Sequence, residues 1–224
     1  MPTVRDDPES PDPGFAELYA SLPDETRLEP WLGWAKTASP PVLYLGVGTG
    51  RLAAPLARAG VELIGVDSHP GMLERLRVRL PGTELVEGRI EDLDLRRQFD
   101  LVIVPSNILC TVERLRAAAR HLTAAGRLAF QLMNPHWLAA GASRDVRVRS
   151  LNRAEARIDV AYPNGTVQEA LVPLLWPEEI DDFLGQAGLR LLSLDGEPDA
   201  ELAESPTFYA LSSKRLRRAQ IPST

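Results

Sequence analysis

Apolar residues along this chain fall into short unbroken runs, separated by stretches in which they recur every three or four positions. The runs at 42–45, 61–67, 100–105 and 127–133 read as core strands, and a short strand is expected around 83–87. The intervening segments 49–59, 70–80 and 111–122 carry helical spacing. Such alternation predicts an α/β fold with a parallel sheet, right-handed crossovers and helices on both faces. After Asn134 the texture changes. Segments 145–150, 156–162 and 167–175 alternate apolar and polar residues, and Pro163-Asn164-Gly165 is a turn signal between the last two. They predict a small antiparallel sheet, within 138–176, inserted after the fifth core strand. A helix at 177–187 and strands at 189–194 and 207–212 bring the main sheet to seven strands.

Upstream of the core, Phe15, Leu18, Tyr19 and Leu22 have helical spacing, so 14–40 is expected to form a helical cap. Residues 1–13 are rich in proline and acidic side chains and read as a disordered tail. Residues 214–224 begin with Lys214, Arg215, Arg217 and Arg218 and read as a basic, solvated tail.

The junction between the first core strand and its helix carries the candidate chemistry. Gly46, Gly48 and Gly50 alternate with Val47 and Thr49, and an Ala/Leu-rich helix follows. Without Cβ atoms such a turn lets a ligand approach the backbone closely. Asp67 ends the next apolar run, about twenty residues on, where a carboxylate can accept ribose hydroxyls. A nucleoside-type cofactor is therefore expected. In the dinucleotide fingerprint the third small residue lets helix and strand pack closely. Counted from Gly46 that place holds Arg51, so a nicotinamide-dependent oxidoreductase fits poorly.

The pattern G-x-G-x-G resembles motif I of the class I S-adenosylmethionine-dependent methyltransferases. The likeness continues through Gly65-Val66-Asp67-Ser68-His69-Pro70-Gly71-Met72-Leu73, Gly88-Arg89-Ile90-Glu91-Asp92-Leu93 and Phe99-Asp100-Leu101-Val102-Ile103-Val104. It resumes at Leu122 to Leu128 and at Trp176 to Leu189. The resemblance implies a Rossmann-like class I methyltransferase domain over 14–213 and S-adenosyl-L-methionine as cofactor. It also implies direct in-line methyl transfer to an O, N or C nucleophile of a small molecule. The cofactor-binding residues it implies are Tyr44, Gly46, Gly48, Thr49, Gly50, Asp67, Ser68, Met72, Ile90, Glu91 and Pro105. Two positions depart from the family pattern. Tyr44 stands where an acidic residue usually faces the cofactor's ammonium, and Arg89 where one often accepts the adenine amino group. These departures keep open a non-methylating member of the fold that binds the cofactor or another ligand.

Open α/β sheets bind ligands at the carboxyl ends of their strands. The fourth and fifth strands deliver Asn107, Asn134, His136 and Trp137 there, and Trp176 follows the inserted sheet. His136 is the expected proton acceptor, because imidazole titrates near neutrality. Asn107, Asn134, Trp137 and Trp176 are the expected acceptor pocket, and two of Trp31, Trp34, Trp137 and Trp176 are expected at the site. Cys110, the one cysteine, has no partner for an intrachain disulfide and no evident activating base. No metal is expected.

Composition narrows the partners. Hydrophobic content of 44% and charged content of 25% are ordinary globular values. A net charge of −6 argues against a nucleic-acid binder. No apolar stretch reaches the ~20 residues of a membrane span, and the acidic, proline-rich start is unlike a signal peptide. A cytoplasmic enzyme is expected, with a homodimer left open.

Overall fold

The computed structural model describes residues 2–5 and 12–215. In chain order the elements are β1 (Thr3–Arg5), α1 (Pro13–Ser21), α2 (Trp31–Lys36), β2 (Val42–Leu45), α3 (Ala53–Arg58), β3 (Leu63–Asp67), α4 (Pro70–Arg79), β4 (Glu84–Glu87) and β5 (Phe99–Val104). Then come α5 (Val112–Arg120), β6 (Leu122–Met133), α6 (Pro135–Ala139), β7 (Val146–Leu151), β8 (Glu155–Ala161), β9 (Val167–Pro173), α7 (Ile180–Gly185), β10 (Leu189–Gly196) and β11 (Thr207–Lys214).

The seven-stranded sheet has the order β10-β11-β6-β5-β2-β3-β4. Strands β2 to β6 pair in parallel, and β11 runs antiparallel between β6 and β10. This is a Rossmann-like, mostly parallel sheet. The chain leaves β2 toward β3 and β4 on one side and returns to β5 on the other. That reversal opens a crevice at the carboxyl ends of β2 and β5, where such sheets bind ligands.

The period of two along each strand sorts the core into two layers. Leu43 and Leu45 of β2 join Val102 and Val104 of β5, with α5 and α7 covering that face. Val42 and Tyr44 point the other way, beside Leu101 and Ile103, under Trp31 of α2 and Leu56 of α3. The second layer leads into the site.

Several elements differ from the sequence expectation. Helix α3 begins at Ala53 rather than near 49, because Gly46, Gly48 and Gly50 take φ of 72°, 56° and 84°, which is not helical. Strand β6 reaches back to Leu122, so it begins five residues before the expected start at 127, with Leu122 beside Phe99. The helix expected over 177–187 is a 3-10 turn, Pro177–Glu179, followed by the shorter α7.

The inserted sheet has the order β1-β9-β8-β7, three antiparallel strands plus an edge strand from the N-terminus. Thr3, Val4 and Arg5 pair in parallel with Val167, Gln168 and Glu169. Part of the expected disordered tail is thus strand, with Val4 buried. Of the expected basic tail, Arg215 is tied down by its N–H on the Gly188 carbonyl and its Nε on Leu189. Positions 6–11 and 216–224 lie outside the described residues.

Candidate active site

The turn after β2 is fastened from the β3 side. The amides of Gly46 and Val47 both donate to the Val66 carbonyl, at 2.8 and 3.0 Å. The Gly48 amide donates to Asp67 Oδ2 at 2.8 Å, and Asp67 Oδ1 accepts from the His69 amide at 2.8 Å. Each carboxylate oxygen keeps a lone pair for a further donor. Gly46 and Gly50 are required for space as well as for φ. A Cβ on Gly46 would lie 2.2 Å from Ile108 Cδ1, and one on Gly50 would lie 2.4 Å from Leu76 Cδ1 of α4. Above Gly48 nothing lies within 4 Å of a Cβ position, so this backbone is open to a ligand.

A cavity of about 380 Å³ opens beside this turn. Its floor is Tyr44, Gly46, Val47, Gly48 and Thr49, and its far wall is Pro105 and Ser106 after β5, Gln131 on β6 and Tyr209 on β11. Tyr209 pairs with Gln131 across the sheet and its ring meets Trp31 edge-on at 5.6 Å. Ser106 holds φ of 72°, unusual for a residue with a side chain, and its amide donates to Gln131 Oε1 at 3.2 Å. Backbone held in that region stores strain and is typical of ligand sites.

The N-terminal cap roofs the cavity. Tyr19, Glu25 and Arg27 line it from above. The cap segment is stitched down at several points: Arg51 Nε to the Pro23 carbonyl, the Glu25 amide to the Arg51 carbonyl, and Asp24 to Arg58 and Arg79. Arg27 Nη1 meets Glu197 of the β10–β11 connection at 3.1 Å, closing the roof against the far wall. Arg51, too large for a dinucleotide turn, therefore serves as the tether between turn and cap.

Burial is the first cause of the raised pKa of Tyr44, to which the Asp67 and Glu25 carboxylates add. Tyr209 is raised by burial too, with Glu197 and Glu25 contributing. Both phenols stay protonated at neutral pH, so neither serves as a base there. Asp67 is also raised, by desolvation that outweighs its backbone hydrogen bonds. Ligand hydroxyls that donate to this carboxylate favour its ionised form and lower its pKa. Binding of such a ligand should therefore release protons when the pH lies near that raised pKa, and affinity should fall as pH drops below it. Calorimetry in buffers of different ionisation enthalpy checks both; a pH-independent affinity through the acid range contradicts the contact.

Of the residues expected to hold the cofactor, Tyr44, Gly46, Gly48, Thr49 and Pro105 line the cavity. Gly50, Asp67, Ser68, Met72, Ile90 and Glu91 do not. Asp67 borders the turn instead, holding the Gly48 amide. Met72 is buried on α4, and Ile90 joins the core layer under α5. The Glu91 carboxylate is taken by Arg114 Nε at 2.6 Å, with Arg89 at 3.7 Å. Desolvation works against its charge, but these arginines hold its pKa low. Helix α1 lies over the start of α4. His69 Nε2 sits 3.2 Å from the Asp12 carbonyl, and Thr49 Oγ1 donates to the Tyr19 carbonyl at 3.4 Å.

The expected acceptor-side residues lie elsewhere. Asn134 is fully buried and caps α6, its amide donating to the Leu202 and Ser205 carbonyls. Asn107 accepts from the Met133 amide and donates to the Pro173 carbonyl, tying the inserted sheet to the core. Trp137 packs on the apolar face of that sheet. Trp176 donates to the Arg153 carbonyl and faces His136 edge-on at 4.9 Å. The His136 ring is half exposed and its Nε2 lies 3.2 Å from Glu178, outside the cavity lining. The reason is local. Asn134 starts a helix immediately after β6, and one turn carries His136 round to the 3-10 segment.

Of the tryptophans only Trp31 lines the cavity, and Trp34 meets its ring edge-on at 5.4 Å. Burial pushes the Cys110 thiol up to about 12, so it is no nucleophile at neutral pH. The lining residues Tyr19, Glu25, Arg27, Gln131, Glu197 and Tyr209 were not singled out by the sequence reading. A usable signal exists for Gln131, a lone amide within the apolar run 128–133.

Residues 42–127 match the family model of the methyltransferase domain. An uncharacterized methyltransferase of Mycobacterium tuberculosis is 36% identical over 90 residues, covering 39% of this chain and 37% of that protein. The structure of the CcbJ methyltransferase from Streptomyces caelestis superposes with a TM-score of 0.65 at 24% identity, covering 94% of this chain and 93% of that one. Residues 42–127 are thus those of a methyltransferase domain, in a fold shared with S-adenosylmethionine-dependent methyltransferases. The glycopeptide N-methyltransferase MtfA, solved with S-adenosylmethionine, has the same fold, with a TM-score of 0.66 at 19% identity over 87% of this chain and 96% of that one. The match to the mycobacterial protein spans little more than a third of its length. The family's cofactor is S-adenosylmethionine, and the open cradle over Gly48 with the Asp67 carboxylate beneath it fits such a group.

Proposed function

We propose that this protein transfers the methyl group of S-adenosylmethionine to an O, N or C nucleophile of a small molecule. The observation that carries the reading is one continuous cavity running from the glycine turn of β2 to the ends of β5, β6 and β11. Donor and acceptor can then meet in one cleft. The cofactor, when bound, supplies an electrophilic methyl group. The chain's task is to hold the acceptor in line with it and to exclude water, which can supply much of the rate.

Gln131, Tyr209 and Glu197 are the polar groups on the far wall, and Trp31 and Tyr209 supply flat apolar surface there. A roofed cavity of about 380 Å³ suits a small acceptor rather than a polymer. Of the two departures from the family pattern, Tyr44 lines this cavity and Arg89 lies outside its lining. Among the described residues no helix is long and apolar enough to cross a membrane.

Calorimetry with S-adenosylmethionine, S-adenosylhomocysteine and NAD tests the cofactor, and a methyl-transfer screen over small nucleophiles tests the reaction. The first two ligands should bind, and NAD much more weakly or not at all. NAD binding as tightly as either overturns the reading. With His136 turned toward Glu178, His136→Ala should turn over the identified acceptor at close to the parent rate. Loss of the ~10²-fold or more that a general base contributes would instead put the proton acceptor at that position.

A further inference from the structure

The cavity contains two carboxylates, and they are not equivalent. Glu197 is paired with Arg27 at 3.1 Å and accepts from Thr207 Oγ1 at 3.2 Å. Glu25 makes no salt bridge among the described residues. Its Oε1 accepts from the Thr26 and Arg27 amides at 3.0 and 3.1 Å, which fixes the direction of the carboxylate without neutralising it. Its own amide is bonded to the Arg51 carbonyl at 2.9 Å, so it is anchored to the end of the glycine turn. Its charge is felt at the hydroxyls of Tyr44 on the floor and Tyr209 on the wall.

Strand β2 itself offers no anion here, since Tyr44 stands two residues before the first glycine. We infer that Glu25, reaching down from the cap, is the carboxylate that holds the α-ammonium group of the cofactor's methionine moiety. The inference rests on the methyltransferase reading of the same cavity. The negative partner has moved from the sheet to the roof. Cofactor binding and closure of the cap are thereby coupled, because the residue that neutralises the ligand belongs to the segment that covers it. Tyr44 fills the vacated place as a neutral, protonated phenol.

The test compares two ligands that differ in the ammonium-bearing chain. S-adenosylhomocysteine carries the α-ammonium group; 5′-deoxy-5′-methylthioadenosine has the same nucleoside thioether without it. Glu25→Gln is isosteric and keeps the acceptor for the Thr26 and Arg27 amides, so the cap should remain folded. Calorimetry should show S-adenosylhomocysteine weakened about 10- to 100-fold in the variant, as expected for loss of a charge-assisted pair. Methylthioadenosine should bind as it does to the parent.

An unchanged affinity for S-adenosylhomocysteine overturns the inference and leaves the methyltransferase reading standing. Equal loss for both ligands also overturns it, since the cap itself would then be at fault. If the parent protein binds neither ligand, the cofactor reading fails and this inference falls with it. Adding Tyr44→Asp to the Glu25→Gln variant restores an anion on the strand. Recovery of S-adenosylhomocysteine binding alone supports the relocation. No recovery in a variant whose melting temperature matches the parent counts against it.

Discussion

Replacing Asp67 by alanine is expected to weaken S-adenosylhomocysteine binding by about 2–4 kcal/mol, more than any other single truncation proposed here. Two losses add up. The carboxylate stands at the end of β3 with a lone pair left on each oxygen, where it can accept both ribose hydroxyls. It also accepts the Gly48 amide at 2.8 Å, and without it the turn loses the fastener that holds its middle residue. A 2′-deoxy analogue of methylthioadenosine separates the two. Removing one hydroxyl should weaken binding to the parent protein and make no difference in Asp67→Ala. A deoxy penalty of the same size in both proteins would show that Asp67 only supports the turn.

Gly46→Ala should be the most damaging change to the fold around the site, costing about 2–4 kcal/mol of stability. Part is conformational: at φ of 72° a Cβ crowds the following carbonyl. Part is steric, because the new atom would sit 2.2 Å from Ile108 Cδ1. Ile108 belongs to the segment after β5, so relieving the clash also shifts the wall that carries Pro105 and Ser106. Urea denaturation measures the loss. In the double variant Gly46→Ala/Ile108→Ala the steric part should disappear and the conformational part remain. A Gly46→Ala protein as stable as the parent would mean that the turn is not held in the geometry described.

The glycine turn at Gly46 and the carboxylate at the end of β3 were both legible as positions in the sequence, because each is local. A glycine is called for wherever the backbone must adopt positive φ, and a carboxylate at the end of an apolar strand has few alternative duties. The central strands β2, β3 and β5 were legible for a related reason. Burial on both faces leaves them as largely apolar runs, and period-two patterns marked the inserted strands. Helix ends were read less well, since positive φ at the alternating Gly46, Gly48 and Gly50 excludes the first helical turn that spacing alone suggested.

His136, Trp137 and Trp176 show what spacing cannot supply. All three stand near the carboxyl ends of strands, but which side a loop residue faces depends on how its segment leaves the sheet. Here the fully buried Asn134 caps a short helix at once, sending His136 toward Glu178 and Trp137 onto the inserted sheet. The cavity wall is instead built by Gln131 and Tyr209, 78 positions apart and brought side by side only by the antiparallel pairing of β6 with β11. The roof belongs to Glu25 and Arg27, in a stretch of cap without regular structure whose placement depends on contacts with Arg51, Arg58, Arg79 and Glu197. The sequence by itself determined the α/β sheet, the glycine turn and the acidic residue behind it, because each follows from backbone sterics and burial within a few residues. Only the tertiary structure decided which side chains enclose the cavity, because those contacts join segments whose relative placement no local pattern encodes.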